Sequence, residues 1–375
     1  MLNLTKRQAL LAFNYFTKIG PKTMQKLLKT FPEARTAFSA PAARLEKSGL
    51  SANIVTDFCA WREKIDFSKL EDELAREKIS FITWDEPEYP ALLKEIATPP
   101  YVLYYRGSLE SIGGLDKNRL SVVGARDHSA YAPKVIAEFL PPLIKEKIQI
   151  ISGLALGIDA LAHSCCLLNR GITIAVLGTG LDDKSIYPGV NKNLAHEIIN
   201  SGGALISEFP PGTAPLRQNF PQRNRIISGL SQATLIIEAK LKSGALITAD
   251  YALDQNREVM AVPGNIYSAL SQGTNKLIQA GAKCINCPQD ILEIFRIDHA
   301  SQFKIKKKPA PVYFQNKTEE LIYRLIREAH ERCELITGDE IAQITKLDTS
   351  VINSTLSMLE LRGFAKNDGI GYDIN

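Results

Sequence analysis

Cysteine, histidine, methionine and tryptophan are all scarce in this chain: six, five, four and two among 375 residues. Cysteines at 59, 165, 166, 284, 287 and 333 are too few and too scattered for a disulfide-stapled scaffold. Cys284-Ile-Asn-Cys287 has the spacing of a zinc-ligand pair, but no second Cys or His pair accompanies it. It reads as a strand end with a turn at Pro288, and no metal is expected. No apolar run is long enough to cross a bilayer, and the opening Met-Leu-Asn-Leu-Thr-Lys-Arg lacks the apolar stretch of a secretory signal. A cytoplasmic protein without a membrane partner is the expectation. Charge of one sign is not in excess either. Forty-five Lys and Arg against 41 Asp and Glu leave +4, which permits nucleic acid binding without arguing for it. The phosphate loop Gly-x-x-x-x-Gly-Lys-Ser/Thr is missing, which excludes a Walker NTPase. Gly178-Thr-Gly180-Leu-Asp182-Asp183 carries Asp where a dinucleotide fingerprint needs its third glycine. Nicotinamide and flavin are excluded on that ground, and no cofactor is expected.

What remains is ordinary core-forming material, 45% hydrophobic, long enough for two or three domains. Residues 1–66 read as short helices. The segment 16–31 is a helix, a tight Gly20-Pro21 turn and an amphipathic helix, resembling a helix-hairpin-helix or SAM-like module. Such a hairpin either binds DNA backbones or simply packs. From about residue 119, buried-strand runs alternate with helical stretches: 120–124, 148–152, 172–177, 204–207, 233–238 and 258–262, with 79–83 and 101–105 as possible extensions. Apolar throughout or nearly so, they predict parallel strands covered on both faces. The fold class is therefore α/β, a Rossmann-like, doubly wound, mainly parallel sheet over residues 67–300. Residues 301–315 form a basic, proline-containing linker with four lysines between 304 and 308. In 316–375, helices at 340–345 and 351–361 and a wing from 363–365 and 369–373 predict a winged-helix module. Its second helix carries no Lys or Arg, which suits protein contact or packing better than DNA reading.

In a doubly wound sheet, ligands sit beyond the carboxyl ends of the strands. The most conspicuous stretch near such an end is Leu216-Arg-Gln-Asn-Phe-Pro-Gln-Arg-Asn-Arg225, with three arginines and one phenylalanine. Guanidinium forks fit phosphate oxygens and an aromatic face stacks on a base. Arg217, Phe220, Arg223 and Arg225 are thus candidates for holding a phosphodiester strand. Phe220 and Arg223 are expected to touch it, whereas Arg225 can instead anchor its own helix. After the first parallel strand, Gly124 permits a close approach, Arg126 supplies charge, and Ser129 can cap a helix whose amides would hold a phosphate. After the second strand, Gly153 and Gly157 form a glycine loop. Asp159 and His163, at i and i+4, read either as a catalytic dyad or as a hydrogen-bonded pair supporting that loop. Gly178 and Gly180 follow the third strand. After the fifth, Glu238 and Lys240 precede Ser243-Gly244, a second capped anion site that leads to Thr248. The loops offer many amides and few nucleophile–base pairs, which favours phosphate binding over catalysis.

Taken in order, Gly124-Ala-Arg126, Ser152-Gly153-x-Ala155-x-Gly157-Ile-Asp159-x-x-Ala-His163, Gly178-x-Gly180-x-Asp182 with Tyr187-Pro188, Ser207-Glu208, Phe220-Pro-x-Arg223-Asn-Arg225, Ser243-Gly244-x-x-x-Thr248 and Arg257-Glu-Val-Met-Ala-Val-Pro263-Gly264 resemble the DNA-processing protein A (DprA/Smf) family. The resemblance spans about residues 70–295. It implies a non-enzymatic protein that binds single-stranded DNA in natural transformation, protects the incoming strand and loads the RecA recombinase onto it. It also implies a homodimer, with Leu277 and Ile278 at its interface. The family's first loop is usually Gly-Ser-Arg. Ala125 stands in the serine's place, removing one hydroxyl while keeping Arg126. The alternatives are a nucleotide hydrolase, disfavoured because the Ser243–Thr248 loop lacks the glutamate of such enzymes, and a regulator acting through residues 316–375.

Overall fold

The computed structural model describes residues 4–113, 117–297, 314, 316–331, 335–367, 369 and 371–374. The chain divides into two units, Met1–Asp298 and His299–Asn375.

The first unit opens with six helices, α1 (Lys6–Tyr15), α2 (Pro21–Thr30), α3 (Ala34–Phe38), α4 (Ala42–Lys47), α5 (Ala52–Arg62) and α6 (Phe67–Arg76). Thr5 starts α1 with a reciprocal capping box to Gln8, and Pro21 occupies the first turn of α2. Phe13 and Phe58 stack at the centre of these helices, and Phe38 meets both rings edge-on. That core runs without a break into Tyr101, Tyr104 and Leu205 of the sheet.

The sheet has nine strands: β1 (Ser80–Thr83), β2 (Val102–Gly107), β3 (Arg119–Val123), β4 (Gln149–Ser152), β5 (Thr173–Val176), β6 (Ala204–Ser207), β7 (Ala233–Ile236), β8 (Glu258–Ala261) and β9 (Lys283–Cys284), in the order 1-2-6-5-4-3-7-8-9. Strands β3 to β9 are parallel, and β1 and β2 are antiparallel extensions at one edge. Every residue of β3, β4, β5, β6 and β7 is buried, polar ones such as Arg119, Ser121 and Thr173 included, as parallel strands covered on both faces require. Two short helices, α7 (Ala91–Lys94) and α8 (Leu109–Ile112), flank β2. The crossovers are α9 (Tyr131–Lys145), α10 (Ile158–Leu168), α11 (Lys192–Asn200), α12 (Asn219–Gly229), α13 (Gly244–Asp254) and α14 (Gln272–Gln279), and α15 (Pro288–Ile294) closes the unit. Helices α9, α10 and α15 pack on one face of the sheet, and α7, α12 and α13 on the other. Cys287 is the N-cap of α15, its sulfur taking part in a capping box with Asp290.

The second unit contains α16 (Lys317–Glu331), α17 (Gly338–Thr345), α18 (Thr349–Leu361) and a hairpin of β10 (Ala365–Asn367) with β11 (Tyr372–Ile374). Both expected helices begin two residues early because Thr337 and Asp348 cap them. Ile322, Ile326, Ile341, Ile352, Leu356 and Leu359 form its core. The basic linker at 301–315 lies outside the described residues apart from Phe314. Among the described residues no helix is long and apolar enough to cross a membrane.

Candidate functional site

Chain direction across the sheet reverses between β3 and β7. From β3 the chain steps to β4 on one side, while β7 pairs with β3 on the other. Such a reversal opens a crevice beyond the carboxyl ends of the strands. A cleft of about 670 Å³ occupies it. Gly124 and Arg126 line it from the β3 loop, Ala155 and Asp159 from the β4 loop, Phe220, Arg223 and Asn224 from α12, and Ser243, Gly244 and Thr248 from the start of α13.

The β3 and β4 loops interlock. Ile158 N donates to Ala125 O at 3.2 Å. Gly157, at φ +76° and ψ −127°, lies so close that a Cβ would sit 2.5 Å from Arg126 O. Only glycine reaches that conformation without large strain. Asp159, in the first turn of α10, accepts from Gly153 N at 3.1 Å and Ala155 N at 3.4 Å, so it tethers the glycine loop. Burial raises its pKa, opposed by Arg223 and by those amides.

The i, i+4 spacing predicted an Asp159–His163 hydrogen bond; among the described residues there is none. His163 lies on the sheet side of α10, and its Nδ1 is 2.6 Å from Thr173 Oγ1. Thr173 spends its own proton on Ile150 O at 2.7 Å, so His163 Nδ1 must donate. Burial, then the Arg223 charge, lowers its pKa from 6.5 to about 3. Protonation is therefore easier in the unfolded chain, and stability is lost as pH falls from 6.5 towards 3. Urea unfolding is expected to show the stability difference between the parent and His163→Gln shrinking by roughly 1 kcal/mol per pH unit in that window. A difference independent of pH contradicts it.

The structure separates the four residues of the arginine cluster. Arg225 is 5% exposed and pairs with Glu208 at 2.5 Å, away from the residues that line the cleft. Its role is the anchoring alternative, and a direct strand contact from it is corrected. Arg223 lines the cleft but is 3% exposed. Its Nη1 donates to Gly153 O at 2.7 Å and to Val176 O, binding the ends of β4 and β5 to α12. Burial lowers its pKa to about 10. It is a charged wall of the cleft, not the free fork expected. The Arg223 guanidinium also explains Gly153, where a Cβ would come within 2.7 Å of Cζ. The exposed cations at the mouth are Arg126 and Arg217. Phe220 is half-buried between them and the floor. The Arg126 guanidinium carbon stands 5.7 Å from its ring centroid, and the Tyr187 ring 5.7 Å away on another side, tilted by 49°. Tyr187 stays 46% exposed, a second aromatic face in an irregular segment with no periodicity to mark it.

The remaining candidates fall into place around this mouth. Ser129 does not leave a free anion site. Its amide and hydroxyl both donate to Glu238, at 2.9 and 2.5 Å, so the protein's own carboxylate sits where a phosphate was expected. Ser243 caps α13 as predicted, accepting from Ala245 N at 3.2 Å, while Gly244 leaves open space above the helix start. Thr248 is buried against Gly244 O. Gly178 lies under the Phe220 ring, 3.1 Å from where a Cβ would be, and Gly180 packs against Pro210 O. Both glycines support the cleft from outside its lining. Lys240 is exposed beyond it. Leu277 and Ile278 are half-buried on α14, at the far edge of the sheet.

Comparison with known proteins identifies relatives of this arrangement. The profile of the DNA recombination-mediator protein A family matches residues 80–296. Protein Smf of Synechocystis sp. is 40% identical over 286 residues, 75% of this chain and 71% of that protein. The X-ray structure of DNA processing protein A from Streptococcus pneumoniae superposes with a TM-score of 0.66 at 32% identity, over 78% of this chain and 98% of that one. DNA processing protein A from Helicobacter pylori, solved for its single-stranded DNA binding mode, superposes with a TM-score of 0.52 at 27% identity, over 58% and 96%.

Proposed function

The chain belongs to the DNA recombination-mediator protein A family, and from that premise we propose that its cleft holds single-stranded DNA during DNA processing in transformation. One observation carries the reading: a half-buried Phe220 ring, flanked by the exposed Arg126 and a second ring at Tyr187, stands over the switch-point cleft. Rings exposed between guanidinium groups suit unpaired bases on a charged backbone, and the bases of a duplex are not free to stack on them. Arg126 and Arg217 take phosphates, Phe220 and Tyr187 stack bases, and the open space above the Ser243-Gly244 helix start leaves room for the backbone to approach. The Helicobacter pylori relative, studied for the same kind of ligand, supports this reading.

The protein acts as a binder without turnover, protecting the strand and presenting it to the RecA recombinase. In support, the acid that lines the cleft, Asp159, is already engaged by loop amides, and Glu238 and Glu208 are held by Ser129 and Arg225. Pairing of two copies places Leu277 and Ile278 between them.

Anisotropy titrations with a labelled oligothymidylate test the cleft. Phe220→Ala is expected to cost about 1–3 kcal/mol of affinity without changing the salt slope. Arg126→Ala is expected to reduce the log–log salt slope by about 0.7. Unchanged affinity in both variants overturns the placement. Free base released from nucleoside monophosphates would instead favour a hydrolase.

A further inference from the structure

The overall charge conceals an asymmetry. Residues 1–66 hold eleven Lys and Arg against five Asp and Glu, a surplus of six, whereas the whole chain's surplus is four; residues 67–375 are net acidic by two. All of the chain's excess positive charge therefore resides in the helices before the sheet. Several of these cations are spent internally. Lys6, Arg7 and Lys18 pair with Asp85, Glu86 and Asp57, and Arg62 donates to Phe38 O and Ala40 O.

Lys22, Lys26 and Lys29 are not spent. All three are exposed on α2, and among the described residues no carboxylate lies within ion-pair distance of them. At i, i+4 and i+7 they share one narrow stripe. The opposite face is locked to the protein by the buried Met24 and Leu27, and on the flank of the stripe Gln25 Nε2 donates to Ala97 O at 3.0 Å. The stripe therefore points outward and cannot turn away. Like charges at this spacing destabilise a helix, and among the described residues no ion pair offsets that cost.

The helices also stand at the right edge of the sheet. Asn14 Nδ2 donates to Glu208 O, just past the carboxyl end of β6, and Tyr101 OH donates to Ile19 O in the turn before α2. That is the edge on which the cleft opens. Strand β6 is three spacings, about 14 Å, from β3.

Resting on the reading of the cleft as a single-stranded DNA site, we propose that the Lys22–Lys26–Lys29 face of α2 is a second segment of the strand path, holding phosphodiesters that run beyond the cleft. Lysine, a flexible point charge, suits contact with a backbone regardless of sequence.

The test compares the full-length protein with Lys22→Gln/Lys26→Gln/Lys29→Gln, glutamine keeping the helix propensity. Short oligothymidylates that fill only the cleft are expected to bind both proteins alike. With long oligothymidylates the log–log salt slope is expected to fall by about 2 in the triple variant. Lys22→Arg/Lys26→Arg/Lys29→Arg is expected to retain the parent slope, which a merely structural role would not discriminate. Parent-like affinity and slope on long strands in the glutamine variant overturn the proposal and leave the stripe to an acidic protein partner. Failure of the cleft reading looks different: the parent then does not bind the short oligonucleotides, or Arg126→Ala binds them as the parent does.

Discussion

Glu208→Ala is expected to destabilise the first unit by about 3–5 kcal/mol, because it strands the Arg225 guanidinium in a site that is 5% exposed. The two side chains meet at 2.5 Å between the end of β6 and the middle of α12. Neither has access to bulk water, so removing one leaves a buried charge uncompensated. Chemical denaturation should show the loss directly. The double variant Glu208→Ala/Arg225→Met is expected to recover most of it, since replacing both partners by apolar groups removes the orphaned charge. A single variant as stable as the parent would sink the assignment. The effect reaches the cleft, because Arg225 lies on the same helix as Phe220 and Arg223, and loosening α12 shifts the ring and the wall together.

Gly157→Ala is expected to cost about 2–6 kcal/mol, the sum of forcing a non-glycine residue to φ +76° and of driving its Cβ into the carbonyls of Ala125 and Arg126. The β3 loop must then separate from the β4 loop, and Arg126 moves with it. Weakened single-stranded DNA binding should therefore accompany the loss of stability, measured by anisotropy under conditions where the variant remains folded. Gly244→Ala is the control. A Cβ there meets nothing within 4 Å, and it should change stability little.

The parallel strands were legible because burial on both faces leaves a mainly apolar run, and the carboxyl-edge loops followed from strand direction. The arginine cluster was legible as a concentration of charge, but not as a division of labour. Burial of Arg223 and Arg225 depends on carbonyls of Gly153 and Val176 and on Glu208, which only the folded sheet brings to α12. The signal within reach was Glu208 itself, an acid directly after a buried strand, which needs a basic partner. Asp159 and His163 show the reverse error. Spacing put them on one helix face, yet Asp159 in the first turn serves loop amides while His163 faces β5, because nearby unsatisfied groups compete more strongly than a neighbour one turn away. Ser129 likewise does not cap α9, whose N-cap is Ala130, and its donors go to Glu238, which arrives from the loop after β7 more than a hundred residues later.

The continuous core between α1–α6 and the sheet bears on how the chain can be altered. Phe13, Phe58 and Leu27 belong to the same apolar body as Tyr104 and Leu205, so the first helices are not a detachable cassette. A chain begun at residue 67 would expose the inner face of β2 to water and lose far more than any ligand contact. Modularity here lies on the surface: the lysines of α2 can be exchanged one by one while the helix that carries them stays embedded in the fold.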